Sequence, residues 1–142
     1  GTVIILTAAC ENKLGMGEVM ANGDSKSVLG IRIDAVPAYN IDKGFHPKGK
    51  GNGYVLQFDN LKVYVAGDTE NITEMARLEA IDIAFLPMNL PYTMTPAQVA
   101  EAARVIRPKI LYPYHFGKTN TDELLELLND ENDIEVRIRK LN

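Results

Sequence analysis

The sequence contains little cysteine, little histidine and no excess of positive charge. Its 142 residues include one cysteine, two histidines and no tryptophan, and the formal net charge is −4. The single cysteine, Cys10, excludes an internal disulfide and fits a reducing compartment, so we expect a cytoplasmic protein. We expect Cys10 to be a buried thiol rather than a nucleophile. The acidic balance argues against nucleic acid or an anionic membrane surface as a partner.

Long apolar runs are also missing, because no window approaches the length that a bilayer-spanning helix needs. A hydrophobic content of 46% and a charged content of 24% are those of an ordinary globular protein. The length is sufficient for one domain with its own core. We therefore predict a single domain over residues 1–142 and no contact with a membrane.

Short apolar runs alternate with helical patterns through the second half of the chain. This order, strand-rich at first and alternating later, predicts a layered α/β domain. A helix is expected to begin at Thr95-Pro96, with Thr95 as N-cap, and to end before Pro108. The other predicted helices cover residues 8–14, 72–78 and 122–128. Predicted strands cover residues 3–6 (fully buried), 18–20, 27–29, 31–35, 54–58, 61–66, 81–86, 110–114 and 134–138.

The segment KVYVAGDTEN, residues 62–71, joins a predicted strand to Gly67 and Asp68. Its β-branched and aromatic residues favour a strand, and a glycine there allows a close turn. Asp68 then projects from a rigid strand end, which suits a metal ligand or a catalytic base but also an ordinary strand-to-helix turn. Asn71 is predicted to cap the next helix, with Glu74 completing a capping box.

The two histidines occupy special places. His46 lies in the glycine-rich loop 41–53, and His115 ends an apolar strand. Together with Asp68 they suit zinc or another transition metal, and sites in α/β sheets gather at strand ends. Taken singly, His115 also fits a capping residue and His46 a surface residue. The lysines of the same loop, Lys43, Lys48 and Lys50, fit a solvated charged surface and, as an alternative, contacts with an anionic substrate.

From about Ile31 to Gly117 the chain resembles the second half of the metallo-β-lactamase superfamily. Within that superfamily it is most similar to the small metal-dependent hydrolases that are lactonase-like or uncharacterised. The resemblance rests on six short segments: AYN (38–40), FHPKG (45–49), GYV (53–55), VAGDT (65–69), LPMNLPYTM (86–94) and YPYHFG (112–117).

This resemblance implies an αββα sandwich with a binuclear metal site at one edge, between the two sheets. Asp68 would bridge the two ions, His46 would bind one and His115 the other. Tyr92 would be a catalytic residue with Asp68, and Thr93 and Asn40 would also lie near the substrate. The implied reaction is hydrolysis of an ester, a lactone or a phosphoester of a small-molecule substrate. The implied ion is zinc, manganese, iron or nickel.

The chain departs from the superfamily pattern in one respect. The signature His-x-His-x-Asp-His, which supplies most of the metal ligands, is absent, and two histidines cannot supply it. We therefore expect the chain to be the C-terminal part of a larger domain, active only with an N-terminal half on the same or a separate chain. Without that half, one face of the sheet would remain exposed to solvent, which costs about 25 cal/mol of stability per Å² of apolar surface. The alternative is a non-catalytic remnant or interaction domain that keeps the scaffold.

Overall fold

A computed structural model describes residues 1–141. Its elements form a two-stranded sheet, a seven-stranded sheet and a set of short helices. In chain order they are β1 (Ile5–Leu6), α1 (Ala8–Leu14), β2 (Glu18–Val19), β3 (Ser25–Val28), β4 (Ile31–Ala38), β5 (Gly51–Phe58), β6 (Leu61–Val65), a 3₁₀-helix (Thr73–Arg77), β7 (Ile83–Pro87), α2 (Pro96–Ile106), β8 (Ile110–Tyr114), α3 (Thr121–Leu127) and β9 (Glu135–Val136).

The large sheet has its strands in sequence order from β3 to β9. Strands β3 to β6 pair antiparallel, whereas β6 to β9 pair parallel. The parallel strands are joined by crossovers that contain the 3₁₀-helix, α2 and α3. Strands β6, β7 and β8 therefore present their carboxyl ends at one edge of the sheet, which is where sites form in such sheets.

One face of the sheet packs against the helices and forms the main core. Tyr64, Leu86 and Leu111 are buried there against α2 and α3. Helix α2 contributes the apolar side that the sequence predicts, with Val99, Ala103 and Ile106 all buried. A mixed α/β architecture with helices over a sheet is confirmed.

The other face of the sheet, which we call the second face, is apolar and covered only in part. Met20 packs against Ile33 and Ala35 at its β4 end. Across β5 to β8, eight residues that share this face through direct strand pairing are partly exposed. They are Tyr54, Leu56, Val63, Val65, Ile83, Phe85, Ile110 and Tyr112.

The structure contradicts two predictions about the start of the chain. Residues 3–6 do not form a fully buried strand, because only Ile5–Leu6 pairs and both Val3 and Ile4 are exposed. Cys10 is an exposed free thiol rather than a buried one. The reason is that helix α1 buries none of its residues, so its apolar positions do not reach a core.

The predicted capping box at Asn71 is also wrong. The segment is a 3₁₀-helix capped by Ile72 without a side-chain hydrogen bond. Asn71 Nδ2 instead donates to Glu101 Oε2 at 2.8 Å, and the Glu74 carboxylate binds groups outside the helix. Long-range partners therefore outweigh the local capping pattern here. The last strand is shorter than predicted, and Asn120 rather than Thr121 caps α3.

Helix α2 begins with a capping box in which both hydrogen bonds are formed. The Gln98 N–H donates to Thr95 Oγ1 at 3.1 Å, and the Thr95 N–H donates to Gln98 Oε1 at 2.9 Å. We expect Thr95→Ala to lower the free energy of unfolding by about 1 kcal/mol, since one helix N–H loses its acceptor. Urea unfolding measures this. Thr95→Ser keeps the hydroxyl and serves as the control, so an equal loss in both variants would contradict the capping role.

Candidate metal centre

Asp68 follows β6 on a turn that is held from two sides. Gly67 has φ +70°, and its carbonyl accepts a hydrogen bond from the Tyr114 hydroxyl at 2.9 Å. Burial, and then the negative charge of Asp68, raise the pKa of Tyr114, so it stays a neutral donor. The buried Thr69 hydroxyl accepts from the Tyr39 N–H at 3.1 Å and donates to the Tyr39 carbonyl at 3.0 Å. The turn therefore fixes the backbone on both sides of the carboxylate.

The structure brings both histidines to the Asp68 carboxylate. His46 Nε2 lies 3.7 Å from Oδ2, and His115 Nδ1 lies 3.3 Å from Oδ1. Each carboxylate oxygen therefore faces a different imidazole. The side chains of His46, Asp68 and His115 are 34%, 39% and 48% exposed, so all three are reachable from solvent.

Both histidines have left-handed backbone conformations, with φ +53° at His46 and +52° at His115. Non-glycine residues adopt such values uncommonly, and strained residues of this kind cluster at functional sites. The backbone thus carries strain at the two positions that direct an imidazole toward Asp68.

The donor set fits a metal centre in part. Among residues 1–141, no group of three or more His, Cys, Asp or Glu side chains could by itself hold a metal ion. Each oxygen of Asp68 has one imidazole nitrogen beside it, which gives two protein donors at each of two positions. A catalytic zinc site needs three protein ligands. The residues present therefore fit one part of each of two metal positions.

Tyr92 and Thr93 differ in their surroundings. The Tyr92 ring is exposed and meets Phe45 edge to face, with ring centroids 5.0 Å apart. Thr93, expected near the substrate, is buried, and its hydroxyl accepts from the Asn89 N–H at 2.8 Å. Thr93 therefore stabilises its own loop, whereas Tyr92 is open to a ligand.

Asn40 is buried between the loops of His46 and Tyr92. Its Nδ2 donates to the Tyr92 carbonyl at 2.7 Å, and its backbone N–H donates to the His46 carbonyl at 2.9 Å. Its Oδ1 has no hydrogen-bond partner within the described part of the chain. Asn40 therefore joins the two loops rather than standing at an open surface.

Two lysines of the His46 loop are not simply solvated, and their acidic partners were missed from the sequence. Lys43 Nζ lies 3.0 Å from Glu70 Oε1, and Lys48 Nζ lies 3.0 Å from Glu74 Oε1. Burial would raise the pKa of Glu70, but hydrogen bonds from Lys43, the Ile41 N–H and Gln98 outweigh it and lower that pKa. The one sequence signal for these partners was the presence of acidic residues two and six positions after Asp68.

Glu74 is expected to make stability depend on pH. Burial would raise its pKa, but hydrogen bonds from Lys48 and Tyr39 outweigh it and lower the pKa from 4.5 to about 2. Because the unfolded state binds the proton first, the stabilisation is complete above pH 4.5 and is lost as pH falls toward 2. We expect Glu74→Gln to cost about 1 kcal/mol at pH 7, allowing for solvent screening, and almost nothing near pH 2.5.

Urea unfolding of both proteins at pH 7, 4 and 2.5 checks this expectation. Glu79→Gln is the control, since Glu79 is an exposed glutamate five residues further on. A loss that stays constant across the three pH values would show that the carboxylate charge is not its cause.

The fold and the site together define a class of protein. A mixed sheet with helices on one face, carrying an aspartate between two histidines at the carboxyl ends of its strands, is the metallo-β-lactamase arrangement that the sequence resembles. The family described as "Beta-lactamase superfamily domain" matches residues 8–115. The chain therefore belongs to the β-lactamase superfamily.

Its relatives are metal-dependent hydrolases. A UPF0173 metal-dependent hydrolase from Thermococcus onnurineus is 30% identical over 134 residues, which cover 87% of this chain and 60% of that protein. One from Koribacter versatilis is 44% identical over 73 residues, 49% of this chain and 31% of that protein. A solved structure from Parabacteroides distasonis, a proposed metal-dependent hydrolase, is 53% identical with a TM-score of 0.95, over 99% of this chain and 66% of that one.

The solved Igni18 metallo hydrolase from Ignicoccus hospitalis is 24% identical with a TM-score of 0.82, over 99% of this chain and 66% of that one, which supports the fold alone. The chain thus spans about 60% of its first curated relative and 66% of the two solved structures. Within residues 1–141 no helix is both long and apolar enough to span a membrane.

Proposed function

We propose that this chain supplies one part of a binuclear metal centre in a hydrolase that cleaves an ester, a lactone or a phosphoester. The observation that carries the proposal is the Asp68 carboxylate, whose two oxygens face two different imidazoles. A carboxylate with this surrounding suits a bridge between two ions. The relatives named as metal-dependent hydrolases support the same activity.

The residues have distinct roles in this proposal. Asp68 would contribute to both metal positions, His46 to one and His115 to the other. Zinc fits imidazole and carboxylate donors, and so do manganese, iron and nickel. Such ions, when bound, lower the pKa of water and polarise the substrate oxygen. Gly67, held by Tyr114, sets the direction of Asp68.

Tyr92 is the proposed contact with the substrate. It is exposed beside Phe45, the residue that precedes His46, and both rings offer apolar surface next to a phenol hydroxyl. This arrangement supports a small-molecule substrate with an apolar portion near the scissile bond. Tyr92 would orient that portion and exclude water around it.

The remaining ligands are proposed to come from residues outside this chain, on an N-terminal portion of the same or a separate polypeptide. Two observations support this. The described residues offer too few donors for a metal ion, and the second face of the sheet leaves apolar side chains partly exposed. An N-terminal portion that covers this face would both stabilise the sheet and complete the donor set.

The proposal is tested by the metal content of the intact protein. Mass spectrometry of the purified protein should give two transition-metal ions for each Asp68, together with hydrolysis of p-nitrophenyl acetate, a γ-lactone or bis(p-nitrophenyl) phosphate. The 142-residue chain alone should bind less than one ion, melt without a cooperative transition and elute as an expanded species. A compact, cooperative monomer would contradict the need for a covering portion.

A second candidate is a non-catalytic remnant that keeps the scaffold. The lack of a three-residue metal group among residues 1–141 favours it. The metal content of the intact protein distinguishes the two candidates, because the remnant would bind no metal even when zinc or manganese is added. A coding sequence with His-x-His-x-Asp-His upstream in the same frame would exclude the remnant.

We also propose a reducing, cytoplasmic location. The support is chemical, since the only cysteine, Cys10, is exposed and unpaired.

A further inference from the structure

The loop that carries His46 has no regular structure of its own. Residues 41–50 contain neither helix nor strand, and His46 sits in it with φ +53°. Two backbone bonds close parts of the loop on itself: the Asn40 N–H donates to the His46 carbonyl, and the Lys50 N–H donates to the Pro47 carbonyl. The position of the imidazole relative to Asp68 must therefore come from contacts that the loop makes with other segments.

The first such contact, which we call the inner clamp, is the pair Lys43–Glu70. Glu70 is 5% exposed, and its carboxylate accepts from the Ile41 N–H at 2.7 Å and from Gln98 Nε2 at 3.3 Å. Lys43 Nζ lies 3.0 Å from Glu70 Oε1 and also donates to the Thr93 carbonyl. A buried carboxylate satisfied by three donors fixes the first half of the loop.

The second contact, the outer clamp, is the group Lys48, Glu74 and Tyr39. Lys48 Nζ lies 3.0 Å from Glu74 Oε1, 3.1 Å from the Tyr39 hydroxyl and 4.6 Å from the Tyr39 ring centre. The Tyr39 hydroxyl donates to Glu74 Oε2 at 2.9 Å. The outer clamp thus holds the loop two residues after His46, as the inner clamp holds it three residues before.

Both acids follow Asp68 in the chain, at two and six residues. The segment that presents the bridging carboxylate therefore also holds the loop that presents His46. We propose that Glu70 and Glu74 are positioning residues that set His46 against Asp68, an inference that rests on the proposed metal function. His115 directly follows β8 and, among the described residues, makes no hydrogen bond or ion pair with either clamp, so it provides an internal reference.

The test uses the intact protein and follows the imidazole NMR signals of His46 and His115. His46→Gln and His115→Gln assign them. The inner clamp is removed as the double variant Lys43→Met/Glu70→Gln, because removing one partner alone leaves a buried charge. The outer clamp is removed as Glu74→Gln. The matched control is Glu131→Gln, which removes the exposed pair with Arg104 at 2.8 Å.

Without metal, we expect each clamp variant to shift and broaden the His46 signals while the His115 signals stay in place. On titration with zinc alone, we expect the half-saturation of the His46 change to rise about 10- to 100-fold, the usual effect of losing a group that orients a ligand. Lys43→Arg keeps the cation and should retain the wild-type His46 spectrum. Circular dichroism confirms that each variant is folded.

The outcomes distinguish the positioning role of the clamps from the proposed metal function. Equal changes at both histidines, or none at either, in the folded clamp variants would overturn the positioning role. If zinc moves neither set of signals in the wild type but the clamps still shift His46 selectively, the positioning role stands and the metal function fails. Should the inner-clamp variant not fold, the more exposed Glu74→Gln decides the question alone.

Discussion

Replacing Asp68 by asparagine is expected to remove both metal ions from the intact protein and to lower its hydrolysis about 1,000-fold or more. Each oxygen of this carboxylate faces one imidazole, so both proposed metal positions would lose a charged ligand at once. Bound metal contributes several kcal/mol to the transition state, and each 1.36 kcal/mol is a factor of about ten in rate. Among the ion pairs of the described residues, only Asp68 pairs with both histidines.

The measurement is metal content per chain together with the initial rate on the best substrate. Asparagine has nearly the size of aspartate, so the unfolding midpoint of Asp68→Asn should move little. The control is Asp130→Asn, which changes an exposed aspartate just beyond α3 and should leave metal content and rate unchanged. Full metal occupancy in Asp68→Asn would show that Asp68 is not the bridge.

The second large effect is expected from Gly67→Ala, which should lower the free energy of unfolding by about 3 kcal/mol. A left-handed backbone costs a non-glycine residue about 1–2 kcal/mol. At Gly67 an added Cβ would also lie 2.6 Å from the Asn52 carbonyl oxygen, and a backbone atom cannot move aside as a flexible side chain can. Overpacking of this kind adds about 1–3 kcal/mol.

Gly30→Ala provides the matched control. Gly30 also has a positive φ, at +83°, but its added Cβ would meet nothing within 4 Å. It should therefore lose only the conformational part, about 1–2 kcal/mol. Urea unfolding of both variants gives the difference, which isolates the clash with Asn52. Equal losses at the two glycines would mean that the strand end relaxes to admit the methyl group.

Sequence patterns predicted the elements whose signals are local. Helix α1 and strand β8 have the predicted bounds, and Thr95 is the N-cap of α2 as predicted, because periodicity and capping act within a few residues. The same patterns failed at Asn71 and Cys10. In both cases the outcome depends on what packs nearby, which a single segment does not encode.

The candidate site was likewise predictable only in its local parts. Strand ends predicted where Asp68 and His115 lie, and the resemblance predicted that His46 joins them. The lysine–glutamate clamps were not predictable, since Lys43 follows β4 and meets Glu70 only after β5 and β6 have brought the two segments together. Ion pairs between distant segments are a product of the fold, whereas ligand types at strand ends are a property of the sequence.

The carboxyl ends of β6, β7 and β8 lie side by side, yet only the first and third of these strands lead into a proposed ligand. The loop after β7 carries Leu90 and Tyr92 on its surface and contributes neither proposed ligand histidine. Substitutions of these two exposed side chains are therefore expected to leave the proposed ligands in place, because the backbone carbonyls of Tyr92 and Thr93 keep their hydrogen bonds to Asn40 and Lys43. Divergence in substrate choice among family members is expected to concentrate there, and directed evolution would begin with a library over the same few positions.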